Sequence, residues 1–186
     1  MRGLQALLFA RLSVLLVPVL SCCVIGAATD AARAETKVEL KGVHLCCAKC
    51  TADAKAAVRD LDGVKATCDQ KNRTVTITAP DDAAAQKALD ALAAHGFHGD
   101  TGNSTLKIKE DSGVAAGKVT SVTLVGVHNC CRSCNRAIQG ALKKVDGVTG
   151  DTAKPHADVI TVTGNFDGAD LVKALNAAGF HVRVKQ

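Results

Sequence analysis

The stretch "GVHLCCAKC" at residues 42–50 returns as "GVHNCCRSC" at residues 126–134. The two copies lie 84 positions apart, measured from His44 to His128 (128 minus 44). Self-similarity at a fixed spacing indicates a repeated structural unit. The two stretches therefore predict two copies of one small domain, each with a cluster of cysteines near its beginning.

The sequence after each cysteine stretch has the period of a helix. Apolar residues follow the last cysteine of each stretch by 4, 8 and 11 positions, which places them on one face. These residues are Ala54, Val58 and Leu61 in the first copy and Ile138, Leu142 and Val145 in the second. Each helix is expected to end at "DGV", where Gly63 or Gly147 can adopt the left-handed conformation.

Strands and a second helix are predicted in the rest of each copy. "TKVEL" precedes the first cysteines, and "KATCD", "RTVTIT" and "DVITVT" follow the first helices as β-branched or alternating runs. Second helices are expected from about 82 to 94 and from about 167 to 178. The runs "TLKIK" and "HVRVK" are predicted to form the last strand of each copy. The order is therefore strand, helix, strand, strand, helix, strand.

This order predicts an α+β fold of two tandem ferredoxin-like βαββαβ sandwiches. Each would be a four-stranded antiparallel sheet with two helices on one face. The stretch "EDSGVAAGK" between the copies is rich in small residues and is expected to be a flexible linker. The predicted organisation is a signal peptide over 1–34, a first domain over 35–109, a linker over 110–118 and a second domain over 119–186.

The first 34 residues have the features of a secretory signal peptide. Arg2 and Arg11 precede the apolar run "LSVLLVPVL", and Ala32 and Ala34 frame a cleavage point. A membrane anchor is the alternative, but a spanning helix needs roughly 20 apolar residues and this run is shorter. Processing as a lipoprotein at Cys22 is a minor alternative. The expected location is the periplasm or the extracellular space.

Charge and cysteine content exclude some classes of protein. Without the predicted signal peptide, 20 of the 23 basic residues and 17 of the 18 acidic residues remain, and Trp and Tyr are absent. A nearly neutral chain without a basic run or an aromatic stacking surface is not typical of nucleic-acid binding. Seven of the nine cysteines remain, an odd number that pairing among themselves does not explain.

The positions of the cysteines favour metal binding. Cys47 and Cys131 are expected in the loop after the first strand, while Cys50 and Cys134 fall in the first turn of the helix. Residues three apart on a helix lie on the same side, and the amino end of a helix favours thiolate over thiol. Two thiolates at one point can bind a soft cation such as Cu(I), Zn(II), Hg(II) or Cd(II).

At these residues the sequence resembles the heavy-metal-associated (HMA) domain family, which includes copper chaperones, periplasmic mercury-binding proteins and the cytosolic arms of metal-transporting ATPases. The resemblance covers nearly all of 37–109 and 119–186 and includes the C-x-x-C pairs, both "DGV" stretches and both "GF" pairs. It implies that Phe97 and Phe180 pack beside the metal loops. Partners implied are the metal ion and a metal transporter or another metal-carrying protein.

Two positions depart from the family pattern. Gly-Met-x usually precedes the first cysteine of the family motif, whereas this chain has His-Leu-Cys and His-Asn-Cys. Asn129 is expected to replace a buried Met poorly and to weaken the second loop. The exchange also adds Cys46 and Cys130 as candidate third sulfur ligands, with His44 and His128 as candidate fourth ligands of a zinc-type site.

The predicted function is binding of a soft metal ion, most simply Cu(I) or Zn(II) with one ion per domain, in a scavenger, buffer or chaperone and not in an enzyme. The predicted ligands are Cys46, Cys47, Cys50, Cys130, Cys131 and Cys134, with no catalytic residue. A thiol–disulfide redox protein and an interaction module with disulfide-linked loops remain alternatives. Cys68 is expected to be a buried apolar thiol, and His98 and His181 are expected on an exposed strand face.

Overall fold

The computed structural model describes residues 34–185, which belong to one compact unit. The predicted signal peptide, up to residue 33, lies outside the described residues. The first half contains β1 (Thr36–Lys41), α1 (Ala48–Val58), β2 (Lys65–Asp69), β3 (Thr74–Ala79) and α2 (Asp82–Ala94). The second half contains β4 (Lys118–Val125), α3 (Arg132–Leu142), β5 (Val148–Asp151), β6 (Val159–Asp167), α4 (Gly168–Ala177) and β7 (Arg183–Val184). Within this described part, no helix has the length and apolarity needed to cross a bilayer.

The second half has the predicted ferredoxin-like topology, and the first half has the same topology without the last strand. The second sheet is antiparallel with the order β5-β6-β4-β7, and the first has the matching order β1-β3-β2. In β1 and β3, buried apolar residues alternate with exposed or half-buried ones, which leaves one face of the sheet for the helices. The α+β class is thus confirmed.

The first sheet has three strands where four were expected. A single bridge between Lys41 and Asp100 lies where the fourth strand would begin, and "TLKIK" is not a strand. The side-chain amide of Gln86 on α2 replaces the ladder there. It donates to the carbonyl of Lys107 at 2.9 Å and accepts from the amide of Lys107 at 3.2 Å. Leu106 and Ile108 are nevertheless buried, so the segment contributes to the core without strand pairing.

The connecting segment 110–118 is bonded to the second half. The carbonyl of Ser112 accepts a hydrogen bond from the amide of Val184 at 2.7 Å, and Asp111 binds Arg183 at 2.9 Å. The carbonyl of Gly117 accepts from the amide of Gly168. The segment expected to be a flexible linker is thus held against the second half by backbone hydrogen bonds and an ion pair.

The two halves meet at their Gly-Phe-His turns. Phe97 and Phe180 form an antiparallel bridge, and the amide of His181 donates to the carbonyl of Gly96 at 3.0 Å. The equivalent bond runs from the amide of His98 to the carbonyl of Gly179 at 3.1 Å. The turns therefore pair across an approximate twofold axis between the halves.

Glycine is required in both turns because the opposite backbone is so close. Gly96 has φ +79° and Gly179 has φ +92°, conformations that residues with a Cβ rarely adopt. A Cβ at Gly96 would lie 2.2 Å from the amide nitrogen of His128, and one at Gly179 would lie 2.4 Å from that of His44. This close approach brings each turn against the cysteine loop of the other half.

Candidate metal centre

The cysteines of each half lie where the chain enters its first helix. Cys47 and Cys131 are the N-cap residues of α1 and α3, both with extended backbone. Cys131 Sγ accepts a hydrogen bond from the amide of Cys134 at 3.5 Å. Cys50 and Cys134 are fully buried in the first turn, and Cys46 with its counterpart Cys130 is half-buried. The predicted placement of the C-x-x-C pairs is thus observed in both halves.

The six sulfur atoms do not form two separate groups. Cys46 Sγ lies 3.5 Å from Cys131 Sγ and 3.5 Å from Cys134 Sγ, both in the other half. The central pair, Cys50 and Cys134, has its sulfurs 3.7 Å apart. The cysteines predicted as ligands of two sites therefore converge on one place, which we call the six-cysteine cluster: Cys46, Cys47, Cys50, Cys130, Cys131 and Cys134.

Equivalent pairs of sulfurs in the two halves are separated by nearly equal distances. The Cys47–Cys50 and Cys131–Cys134 sulfurs are 3.5 and 3.6 Å apart. The equivalent pairs between halves, Cys46–Cys134 and Cys130–Cys50, are 3.5 and 3.6 Å apart. All seven cysteines of the described part are free thiols, since a disulfide would bring two sulfurs to about 2 Å.

Neighbouring thiols in the cluster influence each other's ionisation. A hydrogen bond with Cys134 is the main cause of a lowered pKa at Cys50, and the same bond, with burial, raises the pKa of Cys134. Burial raises the pKa of Cys46 to about 12. At Cys131, burial also acts to raise the pKa. Hydrogen bonds from the Cys134 amide and from neighbouring thiols outweigh it and lower the pKa to about 7. Uptake of a cation would allow further thiols to ionise.

Each histidine of the motif stacks on a phenylalanine of the other half. The ring centroids of His44 and Phe180 are 4.5 Å apart, and those of His128 and Phe97 are 4.3 Å apart. Phe97 and Phe180 thus pack beside the metal loops as the resemblance implied, but each beside the loop of the opposite half.

The histidine nitrogens lie close to the sulfurs. The Nε2 atoms of His44 and His128 are buried and have no hydrogen-bond partner among residues 34–185. One nitrogen of His128 lies within 4.8 Å of the sulfurs of Cys50, Cys130 and Cys134. Burial lowers the pKa of His44, which favours the neutral imidazole that can bind a metal ion. The two candidate fourth ligands are therefore next to the cluster.

The second loop is well supported, contrary to the expectation for Asn129. Its side-chain amide is buried and donates to the carbonyls of Lys154 at 2.8 Å and Ala157 at 3.4 Å. The amide of His156 in turn donates to the carbonyl of Asn129 at 2.9 Å. Asn129 therefore binds the loop between β5 and β6, where a Met would only pack against it.

Other candidates from the sequence lie outside the cluster. Cys68 is half-buried, not fully buried, and its sulfur lies 3.8 Å from the carbonyl oxygen of Thr51. The expectation of an exposed His181 is wrong: it is 2% exposed because its ring packs at the junction of the halves, and its Nε2 lies 2.8 Å from Asp111 Oδ1. His98 is half-buried beside it.

The sequence did not predict that the two sites join. The repeated "GFH" was the available signal, because a glycine in the same place of both copies marks a position of close backbone approach. A cavity of about 610 Å³ is lined by residues such as Lys41, His98 and Lys173 and by none of the six cysteines, so it is separate from the cluster.

No protein-family model matches the chain. A 65-residue stretch is 38% identical to "Heavy metal-associated isoprenylated plant protein 34" of Arabidopsis thaliana. That stretch is 35% of this chain and only 11% of the plant protein, so the chain corresponds to a small part of that relative.

Two solved structures of Bacillus subtilis CopA align with the chain. The structure of the N-terminal soluble domains of CopA is 18% identical in sequence, and the alignment covers 82% of this chain and 95% of the CopA chain with a TM-score of 0.30. The water-soluble region of CopA is 20% identical, covering 82% and 93% with a TM-score of 0.29. Scores this low carry no conclusion. The sequence match confirms, over 65 residues, the resemblance to heavy-metal-associated domains predicted from the cysteine motifs, and the presence of two such copies stays a prediction.

Proposed function

We propose that this protein binds a soft metal ion, Cu(I) or Zn(II), and stores it or passes it to another metal-carrying protein. The observation that carries the proposal is the convergence of six free cysteine sulfurs at distances of 3.5–3.8 Å. Thiolates prefer soft cations to the hard cations that oxygen ligands bind. The plant relative, whose name describes it as heavy metal-associated, supports this reading.

The exposure of the cluster suits a carrier. Cys46, Cys47, Cys130 and Cys131 are half-buried, so an incoming thiolate can approach them, while Cys50 and Cys134 are buried beneath. A metal ion can then pass to a partner such as a transporter by exchanging one sulfur ligand at a time. We propose no catalytic role, because both histidines are stacked on phenylalanine and the carboxylate that faces His128 Nε2, that of Asp53, lies 4.0 Å away, too far for the hydrogen bond that orients a catalytic histidine.

Export is part of the proposal. The basic, apolar and small-residue sections of 1–34 support secretion to the periplasm or beyond. An oxidising compartment would compete with metal binding, because sulfurs joined in a disulfide cannot bind an ion. Detection of the mature protein with Glu35 at its amino terminus in the periplasmic fraction would support this part, and retention of residues 1–34 would contradict it.

A thiol–disulfide redox role is the second candidate. The 3.5 Å between the sulfurs of Cys47 and Cys50 favours it, since a small side-chain rotation would allow a disulfide. Reduction of a disulfide substrate over many turnovers by the metal-free protein would support this role in place of metal carriage.

Metal titration of the reduced protein under anaerobic conditions tests the main proposal. We expect retention of at least one Cu(I) or Zn(II) per chain against a competing chelator, measured by elemental analysis after gel filtration. The Cys68→Ser variant is the matched control and should retain as much metal as the unmodified protein. A variant with Cys50→Ser and Cys134→Ser should lose tight binding. A reduced, folded protein that retains neither ion would refute the proposal.

A further inference from the structure

Cysteine sulfurs of different halves lie as close to each other as cysteine sulfurs of the same half. Cys46 Sγ lies 3.7 Å from Cys50 Sγ in its own half and 3.5 Å from Cys131 Sγ in the other. Cys130 Sγ lies 3.7 Å from Cys134 Sγ in its own half and 3.8 Å from Cys47 Sγ in the other. Two independent sites would leave a larger distance between halves than within them.

The sulfurs form triangles that contain residues of both halves. Cys46, Cys131 and Cys134 have edges of 3.5, 3.5 and 3.6 Å. A triangle with such edges has its centre about 2.0 Å from each sulfur, so an ion only slightly out of its plane reaches all three sulfurs at the ~2.3 Å of a metal–thiolate bond. A linear two-sulfur site would instead need sulfurs about 4.6 Å apart, twice that bond length. The cluster geometry therefore fits ions with three or more sulfur ligands and not a linear two-sulfur site.

A second triangle has no member in common with the first. Cys47, Cys50 and Cys130 have edges of 3.5, 3.6 and 3.8 Å and also draw on both halves. A further triangle of Cys50, Cys130 and Cys134, with edges of 3.6, 3.7 and 3.7 Å, shares sulfurs with it. Cys50 and Cys130 lie in both of these triangles, and Cys134 lies in the third triangle and in the first, so these three sulfurs can each bridge two ions.

We propose that the six cysteines of both halves form one polynuclear Cu(I)–thiolate centre that neither half can build alone. This inference rests on the proposed function and specifies its site. With the fourth triangle of Cys46, Cys50 and Cys134, the cluster offers four three-sulfur sites, enough for about four Cu(I) ions. Each thiol releases its proton as a copper–sulfur bond forms, so four Cu(I) on six thiolates leave a net charge of about −2.

The surroundings of the cluster support a shared centre. The side chain of His128 is only 8% exposed, and its Nε2 has no hydrogen-bond partner among the described residues. A ring nitrogen within 4.8 Å of Cys50, Cys130 and Cys134 can donate to a bridging sulfur or bind an ion. Because Phe97 of the first half holds this ring, the two halves together shape the site.

Anaerobic Cu(I) titration with X-ray absorption spectroscopy tests the inference. We expect the unmodified protein to bind more than two Cu(I) per chain, with three-sulfur coordination and a copper–copper distance in the spectrum. A second-half variant with Cys130→Ser, Cys131→Ser and Cys134→Ser should lose the copper–copper signal. Its remaining cysteines should bind Cu(I) at least about tenfold more weakly than the unmodified protein does. The equivalent first-half variant with Cys46→Ser, Cys47→Ser and Cys50→Ser should behave alike, and Cys68→Ser should bind like the unmodified protein.

Other outcomes separate this inference from the proposed function. Two Cu(I) per chain without a copper–copper distance, and unchanged affinity in a half that keeps its cysteines, would overturn the shared centre and leave metal binding standing. Binding of a single Zn(II) in preference to Cu(I) would likewise overturn it. Circular dichroism of each triple variant verifies folding, and the copper stoichiometry of the unmodified protein tests the inference independently of any variant.

Discussion

The two halves hold their cysteine loops by different chemistry and arrive at the same sulfur geometry. In the first half, Arg73 donates to the carbonyls of Gly42 at 2.7 Å and Val43 at 3.4 Å, and Leu45 is buried in the core. In the second half, Asn129 bonds the carbonyls of the loop between β5 and β6. Packing and hydrogen bonding can therefore substitute for each other around the same sulfur arrangement.

The largest effect is expected where the halves touch. Gly96→Ala should lower the free energy of unfolding by about 3 kcal/mol, because left-handed backbone strain adds to a clash with the backbone of His128. Gly179→Ala should have a similar effect through the loop of His44. Denaturant unfolding of the reduced protein measures both.

The matched control for these glycines is Gly102→Ala. Gly102 also has a positive φ, +64°, but an added Cβ would have nothing within 4 Å. Only the strain should remain, about 1 kcal/mol. If Gly96→Ala were no more destabilising than Gly102→Ala, the close contact between the halves would be wrong.

The next effect distinguishes the two loop supports. Leu45→Ala should cost about 2–4 kcal/mol, since a buried leucine leaves a cavity. Asn129→Ala should cost about 1–2 kcal/mol, because the carbonyls of Lys154 and Ala157 lose their donor. Thermal and denaturant unfolding give both values. A larger loss for Asn129→Ala than for Leu45→Ala would mean that the second loop depends on its polar contacts more than the first depends on its core.

A smaller effect is expected at Arg73. Arg73→Ala should lower the free energy of unfolding by about 1 kcal/mol, because its guanidinium is exposed and its bonds to Gly42 and Val43 compete with water. The exposed neighbour Lys71 is the control, since Lys71→Ala should leave stability unchanged. A loss as large as that of Leu45→Ala would show that the arginine supports the first loop as much as the core does.

The smallest effect concerns pH and the buried His181. Burial lowers its pKa below 6.5, although Asp111 acts to raise it, while Arg183 and His98 also act to lower it. The unfolded chain therefore binds this proton more readily, so the free energy of unfolding falls as pH drops below about 6.5 and is insensitive to this group above it. His44 has a shift of the same sign.

His181→Gln tests this pH dependence. The variant and the unmodified protein, both metal-free and reduced, are unfolded with denaturant between pH 5 and pH 8. The free energy of unfolding should fall less steeply toward acid pH in the variant. His95→Gln, at an exposed position, should keep the slope of the unmodified protein. Equal slopes in all three proteins would exclude His181 as the source.

Local patterns were sufficient to predict much of the fold and the position of the cysteines in it. Helix periodicity predicted α1 and α3, and the C-x-x-C spacing placed Cys47 and Cys50 at a helix start, because both depend on residues close in sequence. The missing strand was unpredictable because it depends on Gln86, which lies 21 residues from Lys107. The joining of the two sites depends on contacts across 80 or more residues, which no local period records.

Because each motif histidine stacks on a phenylalanine of the other half, the covalent link between the halves determines whether the site persists at low protein concentration. His44 is covered by Phe180 and His128 by Phe97, so each loop is completed by a residue from the other half of the same polypeptide. Two separate chains would have to meet before such an arrangement could form, and their association would fail at low concentration. A covalent connection replaces that encounter with an intramolecular one, so the arrangement persists even where only a few molecules are present.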